Sequence, residues 1–171
     1  MQVTTWLILA LFPYYCWSGE IEVATYIDLK RYEGRWHEIA LLPNRFEKKC
    51  IRGVSAEYIL SKDGTLKVTN TCQTAKGFST VNGIAWVTDK TSQAKLKVSF
   101  VPFFKYLKWF GGDYWILYID VDYQFAVVGT PNLKYLWLLA RQLEVTDTCY
   151  QTFLDIASKS GFDVVNIKRR S

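Results

Sequence analysis

From Arg35 to Arg141 the chain is a succession of short apolar-rich segments, separated at fairly even spacing by turn-forming residues. That rhythm is the pattern of a meander of strands. Eight strands are expected, at 35–42, 53–60, 65–71, 81–87, 94–101, 113–120, 123–129 and 134–141. Alternation is cleanest in Lys95-Leu96-Lys97-Val98-Ser99-Phe100, where Leu96, Val98 and Phe100 share one face and the polar residues the other. Between two such segments, Lys62-Asp63-Gly64 is a tight-turn signal, so residues 53–71 read as a hairpin. Eight is the strand number of the smallest barrels that hold a ligand.

Past Arg141 the period changes. Thr146 and Asp147 offer capping oxygens, Phe153, Leu154, Ile156 and Ala157 recur at helical spacing, and Gly161 ends the run. A closed barrel leaves this helix only the outer wall on which to bury its apolar stripe. Val164-Val165-Asn166-Ile167 would then supply a ninth strand. Half of the 171 residues are hydrophobic and 16% are aromatic, which excludes disorder and exceeds what a core of this size needs, leaving apolar side chains to line a cavity.

Residues 1–19 carry no charge, and the apolar run from Trp6 to Phe12 is followed by small residues suited to cleavage after Ser18. Residues 1–18 are therefore expected to be an export signal and 19–171 the folded domain, the alternative being a tail packed along the barrel. The expected location is the periplasm or outer membrane if the source is bacterial, and outside the cell otherwise. Cys16 admits a second reading as a lipidation site, against which stand the bulky Tyr14 and Tyr15 before it. The net charge of +5 favours anionic partners.

Three blocks in order, Gly34-Arg35-Trp36, Asp120-Val121-Asp122-Tyr123 and Leu136-Trp137-Leu138-Leu139-Ala140-Arg141, resemble the three signature regions of the lipocalin family. The similarity extends through Glu38-Ile39-Ala40, Phe46-Glu47, Asp63-Gly64 and Gly161-Phe162-Asp163, covers about residues 28–167, and is nearest to bacterial lipocalins. It implies an all-β, eight-stranded antiparallel up-and-down barrel with the helix packed outside. It also implies that the cavity carries fatty acids or lysophospholipids in the service of envelope membrane maintenance. Gly34, Trp36, Asp120, Tyr123 and Arg141 would form the barrel-closing signature, with Arg141 packed on Trp36 as a cation–π pair. Tyr114 and Trp137 would lie near the mouth.

In a meander, alternate connections fall at the same end. With Gly34 at the bottom, loops 61–64, 88–93 and 120–122 and Arg141 join it there, and loops 43–52, 72–80, 102–112 and 130–134 form the top. By parity the ligand-facing wall comprises Ala40, Ala56, Tyr58, Leu66, Val68, Ala85, Leu96, Val98, Phe100, Tyr114, Ile116 and Trp137. The top loops carry Arg45, Lys48, Lys49, Arg52, Lys76, Lys105, Lys108 and Lys134 against one acid, Glu47, with Trp109 and other aromatics interleaved. Such a rim suits an anionic membrane surface, with Arg45, Lys48, Lys49, Lys105, Lys108 and Trp109 as contacts. A homodimer patch is the competing reading. Cys50 and Cys72 both belong to this end, so a disulfide between them is geometrically open; Cys50 with Cys149 competes, as does the fully reduced state.

Catalysis finds little support. His37 is the only histidine and neighbours Trp36, so it points out if Trp36 points in. No metal site, cofactor motif or nucleic-acid motif is visible, and a nucleophilic Cys50 or Cys72 lacks a partner to activate it. Binding survives as the function class, with a sterol, retinoid, pigment or siderophore as the alternative cargo.

Overall fold

The computed structural model describes residues 20–101 and 111–170. A single helical turn, α1 (Leu29–Tyr32), precedes β1 (Gly34–Leu41), β2 (Arg52–Leu60), β3 (Leu66–Thr74), β4 (Gly77–Val87), β5 (Lys95–Ser99), β6 (Gly112–Ile119), β7 (Phe125–Gly129) and β8 (Leu136–Ala140). Helix α2 (Asp147–Lys159), a 3₁₀ turn at Val164–Asn166 and β9 (Lys168–Arg169) complete the chain. Each of β2 to β7 pairs antiparallel with its successor, and β1 pairs with both β2 and β8, which closes the barrel.

Local chemistry accounts for the elements. Asp28 caps α1 by accepting from the amides of Lys30 and Arg31, and this turn sets the Tyr32 side chain inside the base of the barrel, on Trp36. Gly34 then enters β1 with φ +92°, a conformation open to glycine, and it passes close under Arg141. At the β2–β3 turn Gly64 has φ +80°, and Asp63 accepts from the Thr65 amide. Asp120 organises the β6–β7 turn by accepting from the amides of Asp122, Gln124 and Phe125. Thr146 caps α2 through Cys149 N, and Phe153 and Ala157 are fully buried against Ile39, Ala40, Val127, Leu138 and Ala140 on the outer wall. Strand β7 is therefore apolar on both faces: Ala126 and Val128 point into the barrel while Val127 meets the helix layer.

Three expectations change. The expected top loop 72–80 is a strand hairpin, with β3 and β4 paired from Leu66↔Ala85 to Thr74↔Gly77 around Ala75–Lys76. Thr71-Cys72-Gln73-Thr74 and Gly77-Phe78-Ser79-Thr80 lack apolar alternation because this end stands clear of the core, yet their backbone pairing continues. The proposed ninth strand at 164–167 lies instead at Lys168–Arg169, since Asp163 accepts from Val165 N and Asn166 Nδ2 and curls the preceding residues into a 3₁₀ turn. Strand β7 starts later than expected, because Tyr123 takes φ +58° within the turn.

Strand β1 carries a bulge between Glu38 and Ala40. Below it, β1 pairs with β2 from Gly34↔Tyr58 to His37↔Ser55; above it, the corresponding edge pairs with β9 through Ala40↔Arg169 and Leu41↔Lys168. The upper parts of β1 and β2 thus part company, and the C-terminal tail lies beside β1 there.

Candidate functional site

The base of the barrel is sealed by Trp36, which is fully buried and donates from Nε1 to Tyr32 O at 2.9 Å. Arg141 lies 3.8 Å from the Trp36 ring centroid. Its guanidinium also donates to three backbone carbonyls, to Arg35 O and Arg31 O at 2.9 Å each and to Tyr123 O at 3.2 Å. Tyr123 in turn accepts from Asp28 N through its hydroxyl and stacks under Arg31, so the base is cross-linked to the segment preceding β1.

Above the plug, Tyr32 stacks on Trp36, and three phenols meet: Tyr32 and Tyr58 each share a 2.8 Å hydrogen bond with Tyr114. Burial raises the pKa of all three, that of Tyr58 to about 12, so they are neutral at physiological pH. Over this floor opens a cavity of about 600 Å³, within the range of small-molecule sites.

Seven of the expected wall residues line it: Ala56, Tyr58, Val68, Val98, Phe100, Tyr114 and Trp137. Leu66, Ala85, Leu96 and Ile116 point inward but lie in the packed core, because inward side chains fill the lower barrel completely. Ala40 belongs to the outer layer beneath α2; the bulge after Glu38 breaks the two-residue period and reverses its face. Tyr114 is at the floor rather than near the mouth, held there by Tyr32 and Tyr58. Trp137 is at the upper end, stacked on Tyr135, and donates from Nε1 to Glu47 at 3.0 Å.

That contact belongs to a polar cluster that sequence reasoning missed. Glu38 is buried in the cavity wall beside Glu47, and Arg170 reaches both, from Nε to Glu38 and from Nη2 to Glu47, at 2.7 Å each. Burial, followed by the hydrogen bond and charge of Glu47, pushes the Glu38 carboxyl up to about 9. Burial also opposes charge on Glu47, but hydrogen bonds involving Glu38, Trp137 and Asn44, with the Arg170 charge, outweigh it and keep that carboxyl below its ordinary range. The pair therefore holds one shared proton against one guanidinium. Glu47, counted from sequence as the acid of the exposed rim, instead turns inward. A signal for Glu38 existed: it shares the parity of Trp36, two residues earlier. None existed for Arg170, which arrives through tertiary folding.

At the rim, Arg45, Lys48 and Lys49 are exposed, and Lys49 Nζ donates to Ser79 Oγ at 2.9 Å. Phe46, Ile51 and Phe78 are exposed at the same end, Phe78 by 81%. Lys105, Lys108 and Trp109 lie outside the described residues, as do Cys16 and the expected export signal. Cys50 and Cys72 form a disulfide that ties the β1–β2 loop to β3, which removes both thiols as nucleophiles. Cys149 is a free thiol on α2, its pKa raised by burial. His37 is half-buried, and burial followed by the Arg35 charge lowers its pKa. Among the described residues no helix is long and apolar enough to cross a membrane, and no group of three His, Cys, Asp or Glu side chains is placed to hold a metal ion.

A floor plugged by an Arg-stacked tryptophan, an apolar cavity and an outside helix agree with the match of residues 27–171 to the lipocalin-like domain. The chain belongs to the lipocalin family. Temperature-induced lipocalin-1 of Arabidopsis thaliana is 39% identical over 152 residues, covering 88% of this chain and 82% of the plant protein. Outer membrane lipoprotein Blc of Escherichia coli is 36% identical over 152 residues, covering 84% and 78%. Apolipoprotein D of Macaca fascicularis is 33% identical over 147 residues, covering 80% and 72%. Insecticyanin of the tobacco hornworm Manduca sexta superposes with a TM-score of 0.68 at 18% identity, over 94% of this lipocalin and 87% of the other chain, a likeness of fold alone. Binding of a small hydrophobic molecule is the function this family membership supports.

Proposed function

We propose that this lipocalin is exported, the segment 1–18 serving as its signal, and that it carries fatty acids or lysophospholipids between membranes in envelope maintenance. The acyl chain would occupy the cavity and the headgroup would stay at the mouth. The observation that carries the reading is the composition of that end: an apolar chamber of about 600 Å³ is lined there by Phe46 and Lys49, and Arg45, Lys48 and Ile51 are exposed in the same loop, as is Phe78 on the β3–β4 hairpin. Each methylene moved from water into such a chamber contributes about 0.8 kcal/mol before ordering costs. Each rim cation near an anionic surface adds about 1 kcal/mol, screened by salt. Relationship to an outer membrane lipoprotein supports a membrane-associated role.

Liposome sedimentation run beside displacement of a fluorescent fatty acid tests the two halves separately. Arg45→Gln with Lys48→Gln is expected to weaken association with anionic vesicles about tenfold or more at low salt, while fatty-acid affinity is unchanged. Trp137→Arg, which puts a charge into the cavity wall, is expected to abolish fatty-acid binding and spare vesicle association. Wild-type protein that ignores anionic vesicles at low salt, or admits neither a fatty acid nor a lysophospholipid at micromolar concentration, refutes the proposal.

A further inference from the structure

The phenols at the cavity floor do not balance among themselves. Tyr32, Tyr58 and Tyr114 bring three O–H groups, and the two hydrogen bonds through Tyr114 use only two of the protons. Among the described residues no other hydrogen bond reaches these oxygens. Whichever way the two bonds run, one O–H is left over. If it were on Tyr32 it would be sealed, since that side chain is fully buried between Trp36 and Tyr58. An unsatisfied donor there is unfavourable. The remaining arrangements leave the spare proton on Tyr58 or Tyr114, the two that line the cavity. The same wall carries Asn70, whose Oδ1 is buried without a hydrogen-bond partner.

We infer that the floor is a subsite for an uncharged oxygen, of a ketone, ester or hydroxyl, at the buried end of the ligand, which accepts a hydrogen bond from the hydroxyl of Tyr114 or Tyr58. The inference rests on the reading that an apolar molecule occupies the cavity, and it adds what the inner end of that molecule carries. A carboxylate is a poor fit at this depth. The phenols are neutral, and Arg141, which lies against the Trp36 ring, gives its N–H groups to backbone carbonyls. One spare donor does not offset the desolvation of a full charge. A hydroxyl at the inner end could also donate, and the orphaned Asn70 Oδ1 is an acceptor on the same wall. An unsubstituted acyl chain with its headgroup at the mouth ends in hydrocarbon and leaves the floor donor unmet, so within the proposed cargo the subsite favours chains that bear an uncharged oxygen at the inner end over unsubstituted ones.

The test compares methyl undecyl ketone with n-tridecane, two chains of equal carbon number that differ only in the oxygen. Affinities are read by displacement of a fluorescent fatty acid from wild type and from Tyr58→Phe/Tyr114→Phe. The ratio of ketone to alkane affinity, which cancels any general effect on the cavity, is expected to fall about three- to tenfold in the double variant, the worth of one hydrogen bond. Infrared spectroscopy of the ketone bound to wild type needs no variant: the carbonyl stretch is expected below its frequency in alkane solvent. A stretch at the alkane value overturns the subsite while leaving carriage intact, as does an unchanged affinity ratio in a folded double variant. If neither compound nor any fatty acid enters the wild-type cavity, the carrier function fails and takes the subsite with it.

Discussion

Replacing Glu38 with glutamine should make the stability of this lipocalin less dependent on pH, by removing a dependence opposite in direction to that of carboxylates held ionised by a partner. Glu38 is held protonated by burial and by Glu47, with its carboxyl raised to about 9, above the ordinary value it regains on unfolding. A raised folded-state pKa means that its contribution is fully present below the unfolded value and is lost as pH rises toward about 9. Across that window the folded protein retains a proton that the unfolded chain gives up, so stability falls by roughly 1 kcal/mol per pH unit from this group. Glutamine keeps a neutral acceptor for Arg170 Nε and an N–H to face Glu47, and it cannot ionise. Urea titrations of wild type and Glu38→Gln should therefore nearly coincide close to pH 5 and diverge with rising pH, the variant being more stable by roughly 3 kcal/mol near pH 8. Glu47, whose pKa is lowered, loses its contribution only as pH falls below the unfolded carboxylate range, outside this interval. His37, also lowered, acts in the opposite sense to Glu38 around neutrality but equally in both proteins, so it cancels in the difference. A difference in stability that is flat from pH 5 to 8 would refute the shared-proton arrangement.

Trp36→Ala is expected to lower stability by about 3–5 kcal/mol, as for other buried aromatics, which denaturant titration would show as a lower midpoint; Arg141 should stay anchored by its three carbonyl contacts rather than be stranded. An unchanged midpoint would mean that Trp36 does not close the base. Cys50→Ser is expected to cost about 3 kcal/mol, because the disulfide closes a loop with a sequence separation of 22; thermal unfolding of wild type with and without reductant should reproduce the loss.

The signals for the fold lie in local sequence. Strand period, turn residues such as Asp63-Gly64 and the helical spacing from Phe153 to Ala157 each act over a few neighbouring side chains, so they can be read without the rest of the chain. Topology then follows from counting, since a meander sends successive turns to opposite ends; that is how Trp36 and Arg141 could be placed together, although two of the carbonyls that Arg141 holds lie 106 and 110 residues before it. Period carries side-chain direction only until the backbone departs from it. One extra residue at the β1 bulge sent Ala40 to the outer layer, and parity could not say how far up the barrel the packed core would reach, which left Leu66, Ala85, Leu96 and Ile116 beneath the cavity. Parity could turn Glu38, Tyr58 and Tyr114 inward, but which polar groups meet was decided by tertiary structure. Arg170 meets Glu38 and Glu47 across separations of 132 and 123 residues, and Tyr114 meets Tyr32 and Tyr58 across 82 and 56. Hydrogen bonds and ion pairs join atoms within about 3 Å whatever their distance along the chain, and no local periodicity encodes that meeting.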